Sequence, residues 1–121
     1  MNISINENSG YLQVDLEGNF DANWSQAFSD RIDFALQENR QGRALDLDLV
    51  IDLSGVSYIS SGGIRVLLAL HRKMQGAGRR LALCDPGPQV SQVMRISGMY
   101  DLFAFYPSVG AAERHLREFR P

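Results

Sequence analysis

Leu49, Val50 and Ile51 are apolar at three consecutive positions inside the segment "DLDLVIDL". A strand with one face in water alternates apolar and polar residues, whereas an unbroken apolar run needs cover on both faces. A sheet covered on both faces takes helices, and the chain supplies one at once. After the connection "SGVSYIS", apolar residues recur at helical spacing from about Gly62 to Gln75, with Gly76 placed where a helix C-terminus prefers glycine. This strand–helix step restricts the chain to an α/β architecture.

The same reading extends outward. "ISI" and "YLQVDLEG" read as two strands around the turn "NENSG". In the second, Leu12, Val14 and Leu16 alternate with Gln13, Asp15 and Glu17, and Gly18 and Asn19 end it. Trp24, Ala27, Phe28, Ile32 and Ala35 then mark a helix from about Ala22 to Asn39, closed by the turn "NRQGR". Downstream, "RRLALCD" is a strand, "QVSQVMRIS" a helix stopped by Gly98, "LFAFY" a strand and "SVGAAERHLREF" a helix. Helix connections make the later strand pairs parallel, while the first two strands form an antiparallel pair. The expected fold is an α/β domain over residues 1–121, a mixed β-sheet of about five strands with about four packed helices.

Composition narrows the function. With 12 Lys and Arg against 14 Asp and Glu, net charge −2 and no basic block, the chain lacks the footprint of a nucleic-acid binder. No apolar run approaches the ~20 residues needed to span a bilayer, and "MNISINENSG" lacks the regions of a signal peptide. The single cysteine, Cys84, excludes an internal disulfide and suits a reducing cytoplasm. At the end of an apolar strand it reads as a small buried hydrophobe.

Ser60 and Ser61 stand where the chain leaves the strand and starts the helix. The first helical N–H groups lack partners and carry partial positive charge, so a serine here can cap them. A phosphate formed on it would be stabilised by the same dipole. Gly62 and Gly63 remove side chains from the first turn at ~1 kcal/mol each relative to alanine. Bare backbone there would admit an anion or a partner's active site. A hydrolytic serine needs a base and an orienting group, and the stretch does not read G-x-S-x-G. Of the two histidines, His71 lies roughly two turns along the helix with Ile64, Leu67 and Leu68, and His115 sits among charges in the last helix. Both read as packing or surface. No His/Cys cluster has metal-ligand spacing.

The stretch "LVIDLSGVSYISSGGIRVLLALHRKM" resembles the core of the STAS family, most closely the free-standing bacterial anti-sigma-factor antagonists. "YLQVDLEGNFDA" is similar to their opening strand and GxxD turn, and "RRLALCDPGPQVSQVMRISGMYDLFAFYPSVGAAERHL" to their closing elements. The resemblance implies a cytoplasmic, non-enzymatic switch without a cofactor. An anti-sigma factor that is also a GHKL-type serine kinase binds the unmodified antagonist, and phosphorylation breaks the complex. A serine phosphatase is the further partner it implies. Register with the motif places the phosphoacceptor at Ser61, the last motif glycine at Gly63, and the acidic residue of the turn at Asp21, beside the acceptor. Ser60 replaces the family's common aspartate, and Gly62 its usual Ser, Thr or Ala.

Asp21 also reads as a cap or first-turn charge of the helix it precedes. Arg65 and Arg72, on the wetter face of the second helix, read either as a solvated face or as contacts to an acidic partner. The expected partner surface is Asp21, Ser60, Ser61, Gly62, Gly63 and Arg65. The rival expectation is an unphosphorylated STAS subunit of a membrane ABC complex that transports lipid.

Overall fold

Residues 1–8, 10–39 and 47–119 are described by a computed structural model. The elements run β1 (Asn2–Asn8), β2 (Tyr11–Phe20), a 3-10 turn (Ala22–Trp24), α1 (Ser25–Asn39), β3 (Asp48–Ile59) and α2 (Ser61–Gly76). They continue with β4 (Leu81–Cys84), α3 (Pro88–Ile96), a second 3-10 turn (Tyr100–Leu102), β5 (Ala104–Tyr106) and α4 (Val109–Glu118). The strands lie in the order β1-β2-β3-β4-β5, with β1 antiparallel to β2 and every later pair parallel. The expected mixed five-stranded sheet with four helices is the observed one. The turn expected over "NRQGR" lies outside the described residues.

The apolar centre of β3 is covered on both sides. Leu49, Ile51 and Leu53 join Leu12, Val14 and Leu16 of β2 in a core closed by α1, α2 and α3. Val50 faces the other way, into a smaller cluster of Tyr11, Ala82 and Cys84 beneath Ala112 and Leu116 of α4. Fully burying a Leu or Ile side chain stabilises by roughly 1.5–3 kcal/mol, so the alternation in β2 and its absence in β3 have the same cause.

β3 is longer than its apolar pattern suggests. The segment "SGVSYI" continues the strand rather than connecting it to the helix. Its partner β2 runs on to Phe20, and the register shifts between Asp15 and Glu17 and between Gly18 and Asn19, β3 carrying one extra residue each time. These irregularities space the buried residues Val56 and Ile59 three apart, which hides the two-residue period of a strand. A Cβ at Gly55 would lie 2.7 Å from the Leu16 carbonyl oxygen, so the distorted pairing needs glycine there. At the far end of α2, Gly76 is the last helical residue, and the left-handed backbone falls at Gly78 instead.

The buried carboxylate of Asp48 accepts from the Arg80 backbone N–H (2.8 Å) and its Nη2 (3.0 Å). The same guanidinium donates to the carbonyls of Leu116 and Phe119 at the end of α4. One pair thus satisfies a desolvated charge and the unpartnered carbonyls of a helix terminus.

Candidate functional site

The site lies at the C-terminal ends of the parallel strands, where β3 gives way to α2. Ser60 is the N-cap: its backbone is extended, and its hydroxyl accepts the Gly63 N–H at 3.2 Å. Its own N–H donates to the Phe20 carbonyl (3.0 Å), tying the start of α2 to the end of β2. Ser61 is the first helical residue and is exposed. Its hydroxyl makes no hydrogen bond among the described residues. The two hydroxyls are therefore inequivalent, one spent on the backbone and one offered to solvent.

Gly62 and Gly63 are buried, contrary to the expectation of bare backbone open to an anion or partner. A Cβ at Gly62 would lie 2.7 Å from the Ala22 Cβ, and one at Gly63 would lie 2.9 Å from Ile59 Cγ1. The missing side chains let the first turn of α2 seat against the end of β2 and the 3-10 turn. Ser61 and Arg65 are the exposed residues of that turn. The glycines set their position from beneath.

Asp21 immediately precedes the residue that touches Gly62. Its carboxylate accepts the Asn23 N–H at 3.0 Å and caps the 3-10 turn, so its capping role is present. The packing of Ala22 on Gly62 brings this acidic turn to the helix start. No acidic residue occupies the first turn of α2 itself, which leaves the positive end of its dipole uncompensated within the helix.

Gln89 of α3 is a positioning residue that the sequence did not reveal. Its side-chain oxygen accepts the Ile59 N–H (2.9 Å), and its nitrogen lies 3.4 Å from the Ile59 carbonyl oxygen. Both backbone groups of the last β3 residue are thereby held one residue before the cap. A glutamine following Pro88 carries no local sign of this role.

The histidines stand elsewhere. His71 is ten residues after Ser61 along α2, about 15 Å along the helix axis, with its ring edge-on to Phe103. His115 lies on α4, on the other side of the sheet, against Tyr106 and Phe119. Neither is placed to act as a base for the serines. Cys84 is fully buried, and burial, followed by the charges of Asp52 and Asp85, pushes its thiol up to about 12. It is the apolar core residue expected. Among the described residues no group of three His, Cys, Asp or Glu side chains could hold a metal, and no helix is long and apolar enough to cross a membrane.

The mixed sheet thus presents a solvent-facing serine at a glycine-seated helix start. The STAS domain model matches residues 2–112, and the chain belongs to that family. It is 24% identical to the anti-sigma F factor antagonist of Paenibacillus polymyxa over 106 residues, 88% of this chain and 86% of that protein. It superposes on the anti-sigma factor antagonist SpoIIAA in its unphosphorylated form with a TM-score of 0.78 at 16% identity, covering 99% and 100% of the two chains. The TM-score against phosphorylated Bacillus SpoIIAA is 0.68 at 17% identity, over 93% and 98%. Murine Slc26a9, an anion transporter, contains the same fold: TM-score 0.77 at 19% identity over 94% of this chain and 19% of that one.

Proposed function

We propose that this chain is an anti-sigma-factor antagonist or related partner-switching regulator, controlled by phosphorylation of Ser61. The observation that carries the reading is the division of labour between the two serines. Ser60 is held by the Gly63 N–H, and Ser61 is exposed with no hydrogen-bond partner among the described residues. SpoIIAA exists in phosphorylated and unphosphorylated forms, which supports a phosphorylatable site on this fold. The chain supplies the acceptor and a binding face that includes Asp21 and Arg65. ATP, Mg²⁺ and catalysis belong to the partner, an anti-sigma factor with GHKL-type serine kinase activity, and a serine phosphatase resets the switch.

Phosphorylation adds roughly −1.5 to −2 charge units at the start of α2. In the free protein the helix dipole tolerates that charge; at a closed interface it would be desolvated and unpaired. Each 1.4 kcal/mol of that penalty weakens binding by about tenfold. No conformational change is needed.

The test begins with a pull-down to recover the partner, followed by incubation with it and Mg-ATP. Recovery of a GHKL-type kinase and one phosphate on Ser61, abolished in Ser61→Ala, is the expected result. Phosphate on Ser60 would overturn the acceptor assignment. Recovery of an ABC transport ATPase, with no phosphorylation, would replace this reading with that of a transporter subunit.

A further inference from the structure

The chain's two histidines come from helices on opposite faces of the sheet, yet both line one cavity of about 430 Å³. The cavity lies at the end of the sheet remote from Ser61, beside the first residues of β4 and β5. It opens because β5 begins at Ala104 opposite Ala82, leaving Leu81 without a partner in β5. His71 and Gln75 of α2 border the gap on one side, and His115 and Leu116 of α4 on the other.

The wall is chemically one-sided. Arg79, Arg80, His71 and His115 contribute to it and, among the described residues, no Asp or Glu does, in a chain where acids outnumber Lys and Arg 14 to 12. Arg80 is already committed to Asp48 and the α4 carbonyls. The imidazoles are not committed: neither makes a hydrogen bond among the described residues. Both rings are instead held in place by aromatic neighbours. His71 meets Phe103 at 5.3 Å, and His115 meets Tyr106 at 5.4 Å and Phe119 at 4.6 Å. Leu102, 45% exposed, borders the cavity. Its volume falls in the range of about 300–1,000 Å³ typical of small-molecule sites, and its few polar donors sit among apolar and aromatic walls.

We propose that this cavity binds a small aromatic carboxylate. Its ring would pack on the aromatic wall, and its carboxylate would take N–H hydrogen bonds from His71 and His115. An imidazole N–H donates to a carboxylate whether or not the ring is charged, and hydrogen bonds to an ionised acceptor are the stronger kind. The site is independent of the Ser61 switch.

1-Naphthoate is the probe, titrated into the intact chain by calorimetry and by amide-resolved NMR. Saturable binding is expected, with shifts confined to residues 71–82, 102–106 and 115–116. The neutral isostere 1-naphthamide, and the double variant His71→Leu/His115→Leu, which removes both N–H donors, should each bind at least tenfold more weakly. Ala104→Trp keeps every charge but fills the mouth from an exposed strand position, and it should abolish binding with a native melting curve. Ser61→Ala should bind 1-naphthoate like the unaltered chain, which separates this site from the proposed switch. Absence of saturable binding, equal affinity for the amide, or an unchanged affinity in the double variant would overturn the proposal.

Discussion

Gly62 packs so closely on Ala22 that a Cβ added to it would lie 2.7 Å from the Ala22 Cβ and 3.0 Å from the Ala22 nitrogen. The start of α2 and the turn carrying Asp21 are therefore packed together with no room for a side chain between them. This contact accounts for glycine at position 62: the space a side chain would need is taken by Ala22. Gly62→Ala should overpack the seam and cost about 1–3 kcal/mol despite alanine's better helix propensity. Ala22→Gly in the same background should recover part of the loss. Urea unfolding of the two single variants and the double variant measures the coupling.

Removing the two serine hydroxyls should have unequal effects. Ser60→Ala deletes the acceptor of the Gly63 N–H and should cost about 1 kcal/mol. Ser61→Ala removes an exposed hydroxyl with no partner among the described residues and should stay within about 0.5 kcal/mol of the unaltered chain. Paired thermal melts separate cap from acceptor without any partner protein.

Gln89→Ala should loosen the same region from the opposite side. It withdraws the acceptor from the part-buried Ile59 N–H, and an unsatisfied buried group costs about 1–3 kcal/mol. Amide hydrogen exchange should quicken at Ile59 and Ser60 and remain unchanged in β1. Uniform acceleration across the sheet would instead report global destabilisation.

Tyr11 makes stability depend on alkaline pH. Its hydroxyl donates to Glu113, and burial, then that hydrogen bond and the Glu113 charge, push the phenol up from 10.0 to about 12. The folded state thus holds this proton more tightly than the unfolded chain. Its contribution is complete below pH 10 and is lost as pH rises through about 12. Tyr11→Phe should cost about 1 kcal/mol at neutral pH and fall less steeply than the unaltered chain across that window. Denaturation curves at stepped pH supply the difference between the two.

Cys84 should be chemically silent in the native state. It is fully buried, with its thiol pushed up to about 12, so almost no thiolate exists near neutral pH to attack a disulfide reagent. Ellman's reagent should react with one thiol per chain in denaturant and with almost none without it. Rapid native labelling would show that α4 opens from the sheet.

The order and type of the elements were readable because periodicity is a local property. Alternation at Leu12, Val14 and Leu16, continuity at Leu49, Val50 and Ile51, and the helical spacing after Gly62 each lie within a few residues of chain. The inequivalence of the two serines was open on sequence, since either hydroxyl can cap a helix; backbone geometry assigns the cap to Ser60. The extension of β3 to Ile59 was hidden because irregular pairing with β2 breaks the two-residue period, and that pairing depends on a strand far away in sequence. Glycine at 62 and 63 looked like an opening, yet Phe20, Ala22 and Ile59 fill the space. Gln89 over Ile59, Asp48 with Arg80, and His71 with His115 across one cavity are likewise relations between distant segments. Hydrophobic pattern along the chain determined which elements form. Only their packing, which removes water from particular pairs of surfaces, decided which polar groups meet and which remain free to bind.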